Sequence, residues 1–258
     1  MNVVITGSSS GIGKLLSKYF IEKNHNVCKI SRSKQDGFSF QCDVSDLNSI
    51  QSCVESISKQ WSHVDCLICC AGIQDPIGPA MLSDPLKWKN NIDVNLIGTY
   101  YTIHSFYKLL NRSKIICFSG GGSTSSRPNF SSYGVAKTGI VRLVEILSDE
   151  FDSNIEINAI APGAIYTNMT EQILANSELA GKNEWESANK LSKNNDEKIK
   201  KVIELIEFLI TTNGISGKII SAQRDNLDDI KNNIEDIQNT DIYTLRRIVP
   251  NDRNKKWS

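Results

Sequence analysis

The 258-residue chain has little that would tie it to a membrane, a nucleic acid or a metal. No apolar run approaches the roughly 20 residues of a membrane-spanning helix. Lysine plus arginine and aspartate plus glutamate balance at 29 each, so no net charge draws the protein to nucleic acid or to an anionic surface. A signal peptide is not expected, because "MNVVITG" already reads as a strand. Cys66-x-x-Cys69 lacks a second ligand pair at zinc-like spacing, so no metal site is expected. The seven cysteines are odd in number and mostly lie in apolar runs such as "DCLICCAG". They read as reduced, buried thiols of a cytoplasmic protein.

What is present is an alternation. Short apolar runs at 2–7, 26–31, 64–72, 113–120, 155–163 and 216–221 read as strands buried on both faces. Helix-length amphipathic runs lie between them at 11–23, 46–60, 86–110, 131–151 and 196–212. Such alternation predicts right-handed crossovers and a three-layer α/β/α fold around a doubly wound parallel sheet. Residues 168–195 are polar and weakly periodic, and interrupt the pattern as an active-site lid would. The catalytic domain is expected over 1–221, with 222–258 as its charged C-terminal extension. Leu227, Ile230, Ile234 and Ile237 form a helical stripe within that extension.

"VVITGSSSGIGKLL" sets Gly7, Gly11 and Gly13 between a strand and a helix. Glycines there give a tight turn, close backbone approach to a pyrophosphate and close packing of helix on sheet. Ser9, Ser10, Gly11, Ile12 and Gly13 would then present the helix N-terminus to the phosphates. Further along, Tyr133 and Lys137 stand four residues apart in "YGVAK", on one face of a helix. Gly-x-x-x-Gly-x-Gly together with Tyr-x-x-x-Lys resembles the short-chain dehydrogenase/reductase superfamily, in its shorter single-domain subdivision with a Rossmann fold. The resemblance spans roughly residues 1–221 and implies an NAD(P)(H)-dependent oxidoreductase. It carries over residue by residue. Asp43-Val44 matches the family's adenine contact. Cys70-Ala71-Gly72 stands where Asn-Ala-Gly is usual. Asn95 matches the asparagine of the catalytic helix, expected to hold a water that relays protons to Lys137. Pro162, Gly163, Ile165 and Thr167 match the stretch beside the nicotinamide.

The tip of the second strand points to the cofactor. An NAD-preferring relative would carry a carboxylate in register with Ser31, but the next residue is Arg32, which can grip a 2′-phosphate bidentately. NADP is expected, with NAD as the alternative.

Tyr133 is the expected proton donor to a substrate carbonyl. A free tyrosine has a pKa near 10, so a neighbouring cation must acidify it, and Lys137 is the candidate. The family's substrate-orienting serine usually stands thirteen residues before the tyrosine, and here that position is Gly120. Ser119, Ser123 or the bare backbone of Gly120 could serve instead. A serine restored at position 120 is expected to be tolerated.

The substrate is a small carbonyl or alcohol compound. The stretch Ser119–Lys137 and the tail "DIYTLRRIVPNDRNKKW" resemble a branch acting on surface-polysaccharide or sugar-nucleotide precursors. Arg127, Arg246 and Arg247 could meet a diphosphate, and Trp88 or Trp185 could stack on a sugar or base. A generic carbonyl or 3-oxoacyl reductase is the alternative, and a weakly active NADP-binding sensor or scaffold is the alternative of another class. The family also implies a homodimer or homotetramer through the helices at 86–110 and 131–151.

Overall fold

The computed structural model describes residues 1–152 and 154–255. The last three residues of the tail "DIYTLRRIVPNDRNKKWS" lie outside them. Seven parallel strands form one sheet: β1 (Asn2–Thr6), β2 (Asn26–Ser31), β3 (Ser39–Gln41), β4 (Val64–Cys69), β5 (Leu110–Phe118), β6 (Glu156–Ala161) and β7 (Ile219–Ser221). Their order is β3-β2-β1-β4-β5-β6-β7. Chain order reverses at β1, so a crevice opens beyond the C-terminal ends of β1 and β4, where open α/β sheets bind ligands.

The strands alternate their side chains between two cores, as a period of two requires. Val3 and Ile5 of β1 face one side with Leu16 and Phe20 of α1 (Gly11–Glu22). Val4 faces the other with Ile50 and Ile57 of α2 (Leu47–Ser58). The Asp46 carboxylate caps α2 by accepting from Asn48 N at 3.0 Å.

The expected single helix over 86–110 is divided. It runs as α3 (Pro85–Ile92), a five-residue-wide π turn (Asp93–Ile97), α4 (Gly98–Phe106) and a short 3₁₀ turn (Tyr107–Leu109). β5 accordingly starts at Leu110 rather than at 113. Proline at the first turn and the Asp84 side chain accepting from Leu86 N at 2.8 Å start α3. The long helix α5 (Ser131–Glu150) carries Tyr133 and Lys137 in its first turns.

The lid region folds as three short helices, α6 (Asn168–Ala175), α7 (Ser177–Ala180) and α8 (Lys182–Asn189). They make a small third core in which Ile173, Ala180 and Ala188 bury against Ile77, Phe130 and Tyr133. α9 (Asp196–Thr211) returns to the first core through Val202, Leu205, Ile206 and Leu209. The apolar stripe of the extension joins the same core, but as two helices, α10 (Leu227–Asn232) and α11 (Ile234–Asn239), with a break at Asn233. Beyond α11 the chain runs along β7, where Ile219 N donates to Tyr243 O at 2.8 Å.

Candidate active site

A cavity of about 1020 Å³ lies across the C-terminal ends of the central strands. Every cofactor-contacting position expected from the sequence lines it, as do Tyr133, Lys137 and Ser119; Asn95 does not.

At one end is the glycine turn. Gly7 has φ +70°, and a Cβ there would lie 2.7 Å from Ala71 Cα. A Cβ on Gly13 would lie 2.4 Å from the Gly7 carbonyl oxygen, so the first turn of α1 can close on the strand end only without side chains. Thr6 Oγ1 accepts from Cys70 N at 3.1 Å and Ala71 N at 3.2 Å, tying β1 to the end of β4. Ser10 precedes α1 in extended conformation without a side-chain cap, so the first-turn N–H groups stay available to an anion. This cradle fits a dinucleotide pyrophosphate. Thr167, the N-cap of α6, leans over it, with its Cγ2 at 3.7 Å from where a Gly11 Cβ would stand.

The adenosine end fits too. Asp43 Oδ1 accepts from Ser45 N at 3.0 Å and Ser45 Oγ at 2.7 Å, a local turn that fixes the carboxylate at the cavity wall. Arg32 is exposed at the tip of β2 and has no carboxylate partner among the described residues. The Ser31 hydroxyl is engaged locally, donating to Ser33 O at 2.7 Å and accepting from Gln35 Nε2 at 2.9 Å.

The reacting end is built on α5 and the loop before it. Lys137 is buried and donates from Nζ to Phe118 O at 2.8 Å, and its Nζ stands 5.5 Å from the Tyr133 ring centroid. Burial pulls the Lys137 ammonium down from 10.5 to about 8, against the opposing influence of the Cys70, Cys117 and Cys69 thiols. Burial also pushes the Tyr133 phenol up, opposed by the Arg127 guanidinium and reinforced by Cys70. Desolvation therefore outweighs the Arg127 charge, and the enclosed tyrosine is held as the phenol, the form that donates a proton.

Gly120 is where the structure corrects the expectation of a tolerated serine. A Cβ at position 120 would stand 2.5 Å from the Tyr133 hydroxyl oxygen and 3.2 Å from Cζ. The tyrosine tip has taken the space that a side chain there would need. The two candidate replacements differ in placement. Ser119 is buried, and its hydroxyl donates to Lys137 O at 3.4 Å, toward the helix backbone. Ser123 follows the turn closed by its own N–H on Gly120 O at 3.2 Å, and also lines the cavity.

Asn95 sits in the π turn, fully buried. Its Nδ2 donates to Ile73 O at 2.8 Å, Asn91 O at 2.9 Å and Asn91 Oδ1 at 2.8 Å, and its Oδ1 accepts from Ile73 N at 3.3 Å. The wide turn directs this amide at the segment after β4. A Cβ on Gly72 would lie 2.6 Å from Asn95 Oδ1 and 3.6 Å from Lys137 Nζ, so both groups close on the space that a side chain at Gly72 would need.

Of the candidate substrate contacts named from the sequence, Arg127 lines the cavity and the others do not. Arg127 is gripped by Glu184 of α8, with Nε to Oε1 at 3.1 Å and Nη2 to Oε2 at 2.7 Å. Arg246 is shared between Asp241 and Asp252, each at 3.0 Å, and neither it nor Arg247 lines the cavity. Trp88 donates from Nε1 to Ser131 Oγ at 3.0 Å, and neither it nor Trp185 lines the cavity. The Arg127–Glu184 pair itself was missed. Its partners are 57 positions apart, and nothing in the local pattern of either marks the other.

Fold, glycine cradle and buried Tyr–Lys pair together define a nicotinamide-dependent enzyme of carbonyl and alcohol chemistry. Residues 1–178 match the family described as short chain dehydrogenase, and the chain belongs to that family. It is an NAD(P)-dependent oxidoreductase. Among curated relatives, it is 32% identical over 185 residues to carbonyl reductase family member 4 of Xenopus tropicalis, covering 64% of this chain and 76% of that one. It is 26% identical over 192 residues to the 3-oxoacyl-acyl-carrier-protein reductase FabG of Staphylococcus aureus, covering 67% and 77%. Among solved structures, ElxO with NADP bound superposes with a TM-score of 0.72 at 26% identity, covering 86% of this chain and 96% of that one.

Proposed function

We propose that the protein is an NADP(H)-dependent reductase that interconverts a ketone and a secondary alcohol on a polar, hydroxyl-bearing substrate, such as a sugar unit of a surface-polysaccharide or sugar-nucleotide precursor. The observation that carries the reading is the cavity itself: Arg32, exposed and without a carboxylate partner among the described residues, at one end and the buried Tyr133–Lys137 pair at the other. Arg32 would hold the 2′-phosphate of NADP, as the relative ElxO with NADP bound makes reasonable. When bound, the nicotinamide supplies the hydride to the carbonyl carbon. Tyr133 donates its phenolic proton to the carbonyl oxygen, so the oxygen leaves as a neutral alcohol. Lys137 stabilises the tyrosinate that remains until a proton returns. Ser123, Thr124, Ser125, Ser126 and Ser187 give the substrate end many hydroxyls, which suits a hydroxylated substrate. Met169, Ile173 and Leu191 on the lid side favour the second reading, a 3-oxoacyl or generic carbonyl reductase.

Fluorescence titration with NADPH and NADH tests the cofactor, and a screen of ketone, acyl and sugar-nucleotide substrates tests the rest. Equal affinity for the two cofactors would remove the role of Arg32. Absence of turnover with every class would favour a cofactor-binding sensor.

The same reading holds the chain to be a homo-oligomer through α4 and α5, whose Tyr100 and Ile146 are 42% and 45% exposed. A monomer in light scattering at micromolar concentration would refute this. The cytoplasm is the proposed location, supported by the cysteines standing as free thiols, six of the seven buried.

A further inference from the structure

Arg127 stands between the lid and the catalytic tyrosine. Its side chain is 15% exposed, and it forks onto Glu184 of α8 through two hydrogen bonds. Its guanidinium lies 3.9 Å from the Phe130 ring centroid and 5.7 Å from that of Tyr133. It rests on bare backbone, since a Cβ on Gly121 would stand 3.3 Å from Arg127 Cδ. Two further polar ties between the lid and the floor beneath it are neutral: Asn129 Nδ2 to Ala180 O at 3.3 Å and Gln74 Nε2 to Met169 O at 3.2 Å. The apolar floor of the lid includes Tyr133 itself, beside Phe130 and Ile77. Opening the lid therefore separates Arg127 from Glu184 and uncovers the tyrosine in one movement.

We propose that the Arg127–Glu184 pair is a positioning device that latches α8 over Tyr133 and ties lid closure to the protonation of that tyrosine. This rests on the reading of Tyr133 as proton donor. With the lid closed, Glu184 neutralises Arg127 and water is excluded, and both effects favour the phenol. With the lid open, the Arg127 charge is bare and the ring is wet, and both effects favour tyrosinate. As the lid closes over a substrate, the tyrosinate thus takes up a proton from solvent water before that water is shut out, and the donor is loaded before its proton is needed. Among the described residues, the other titratable groups facing Tyr133 are Lys137 from α5 and Cys70 from the end of β4, and both stand outside the lid.

The test uses the full chain without cofactor or substrate. The Tyr133 titration is read as tyrosinate absorbance, each variant being compared with the same variant carrying Tyr133→Phe. Lid closure is read as hydrogen exchange of the α8 amides. Arg127→Met is expected to raise the Tyr133 midpoint and Glu184→Gln to lower it, each by roughly half to one pH unit for a charge about 6 Å away under solvent screening. Both should speed exchange in α8. Arg127→Lys keeps the charge without the fork, so it should leave the midpoint near wild type and still speed exchange. A merely structural bridge would let water in either way and lower the midpoint in both Arg127→Met and Glu184→Gln. Shifts of the same sign, or unchanged exchange in Glu184→Gln, overturn the proposal. Failure of the wild type to bind NADPH or to reduce any ketone would instead overturn the functional reading and leave both measurements standing.

Discussion

Placing a serine at position 120 should damage the enzyme, although it would restore the family's usual residue. The new Cβ would stand 2.5 Å from the Tyr133 hydroxyl oxygen, where about 3.5 Å is the comfortable separation. The ring must retreat by about 1 Å, and it cannot do so freely. Phe130, Ile173 and Ala188 bury it from the lid side. Overpacking of this kind costs about 1–3 kcal/mol. At roughly 2–4 °C per kcal/mol for a chain near this size, Tm should fall by several degrees. The catalytic cost is larger, since a misplacement of about 1 Å at a reacting group can lower the rate about 10²-fold. The assay is steady-state NADPH oxidation with any ketone the wild type reduces, run beside thermal unfolding and NADPH titration. Turnover and Tm should fall while NADPH affinity holds, because the glycine cradle lies at the other end of the cavity. Gly120→Ala should behave alike, since the clash is with Cβ and not with the hydroxyl. A Gly120→Ser variant with wild-type or higher turnover and unchanged Tm would refute the argument: the tyrosine would then have another place to go.

Tyr133→Phe keeps the ring and removes the proton, so the same assay should show a loss of about 10² to 10⁴ in turnover with little change in Tm. Lys137→Met should abolish most turnover yet raise Tm at neutral pH. The charged ammonium is disfavoured by burial, with its pKa lowered from 10.5 to about 8, which is worth on the order of 3 kcal/mol below pH 8. Between pH 8 and 10.5 the unfolded chain binds the extra proton, so wild-type stability rises with pH and the advantage of the variant should shrink there; a gap in Tm independent of pH would contradict this. Arg32→Ala should weaken NADPH about 10- to 100-fold and leave NADH nearly unchanged, as expected for losing charge-assisted bonds to one phosphate.

Much of the fold was legible because its signals are local. Apolar runs of strand length, glycine turns and amphipathic periodicity mark five of the seven strands and α1, α2, α5 and α9 to within a few residues. The run 216–221 ends where β7 ends but starts three residues before it, since only its last three residues enter the sheet. β3 was missed because "SFQ" is three residues long and only partly buried, too short for any periodicity. The division of 86–110 was invisible because a π turn needs no glycine or proline; "DVNLI" has ordinary helical composition. At the site, residue types and spacing pointed to the Tyr–Lys pair and the cradle. The state of that pair was not legible. The sequence suggested Lys137 as the acidifying charge, but burial pushes the Tyr133 phenol up against the Arg127 guanidinium, and the side chains packed in its cluster include lid residues 40 and more positions away. The fate of Gly120 was likewise set by a distance to a ring, which no spacing rule encodes.

The short strand β7 has a consequence for how the molecule meets its neighbours. A terminal strand normally leaves alternate N–H groups pointing outward, ready to template a strand from another chain. Here the two that point outward are already taken from within: Ile219 N by the Tyr243 carbonyl, and Ser221 N by the Asp225 carboxylate at 2.6 Å. Lys218 Nζ on Thr240 O at 2.7 Å and Arg142 Nη2 on Leu245 O at 2.7 Å fasten the same stretch of tail on either side. The tail thus works as a selvedge, finishing the fabric of the sheet so that it does not fray into intermolecular pairing. Clipping after Asn239 would leave the catalytic groups untouched and still bare the outward N–H of Ile219 to strands of other chains.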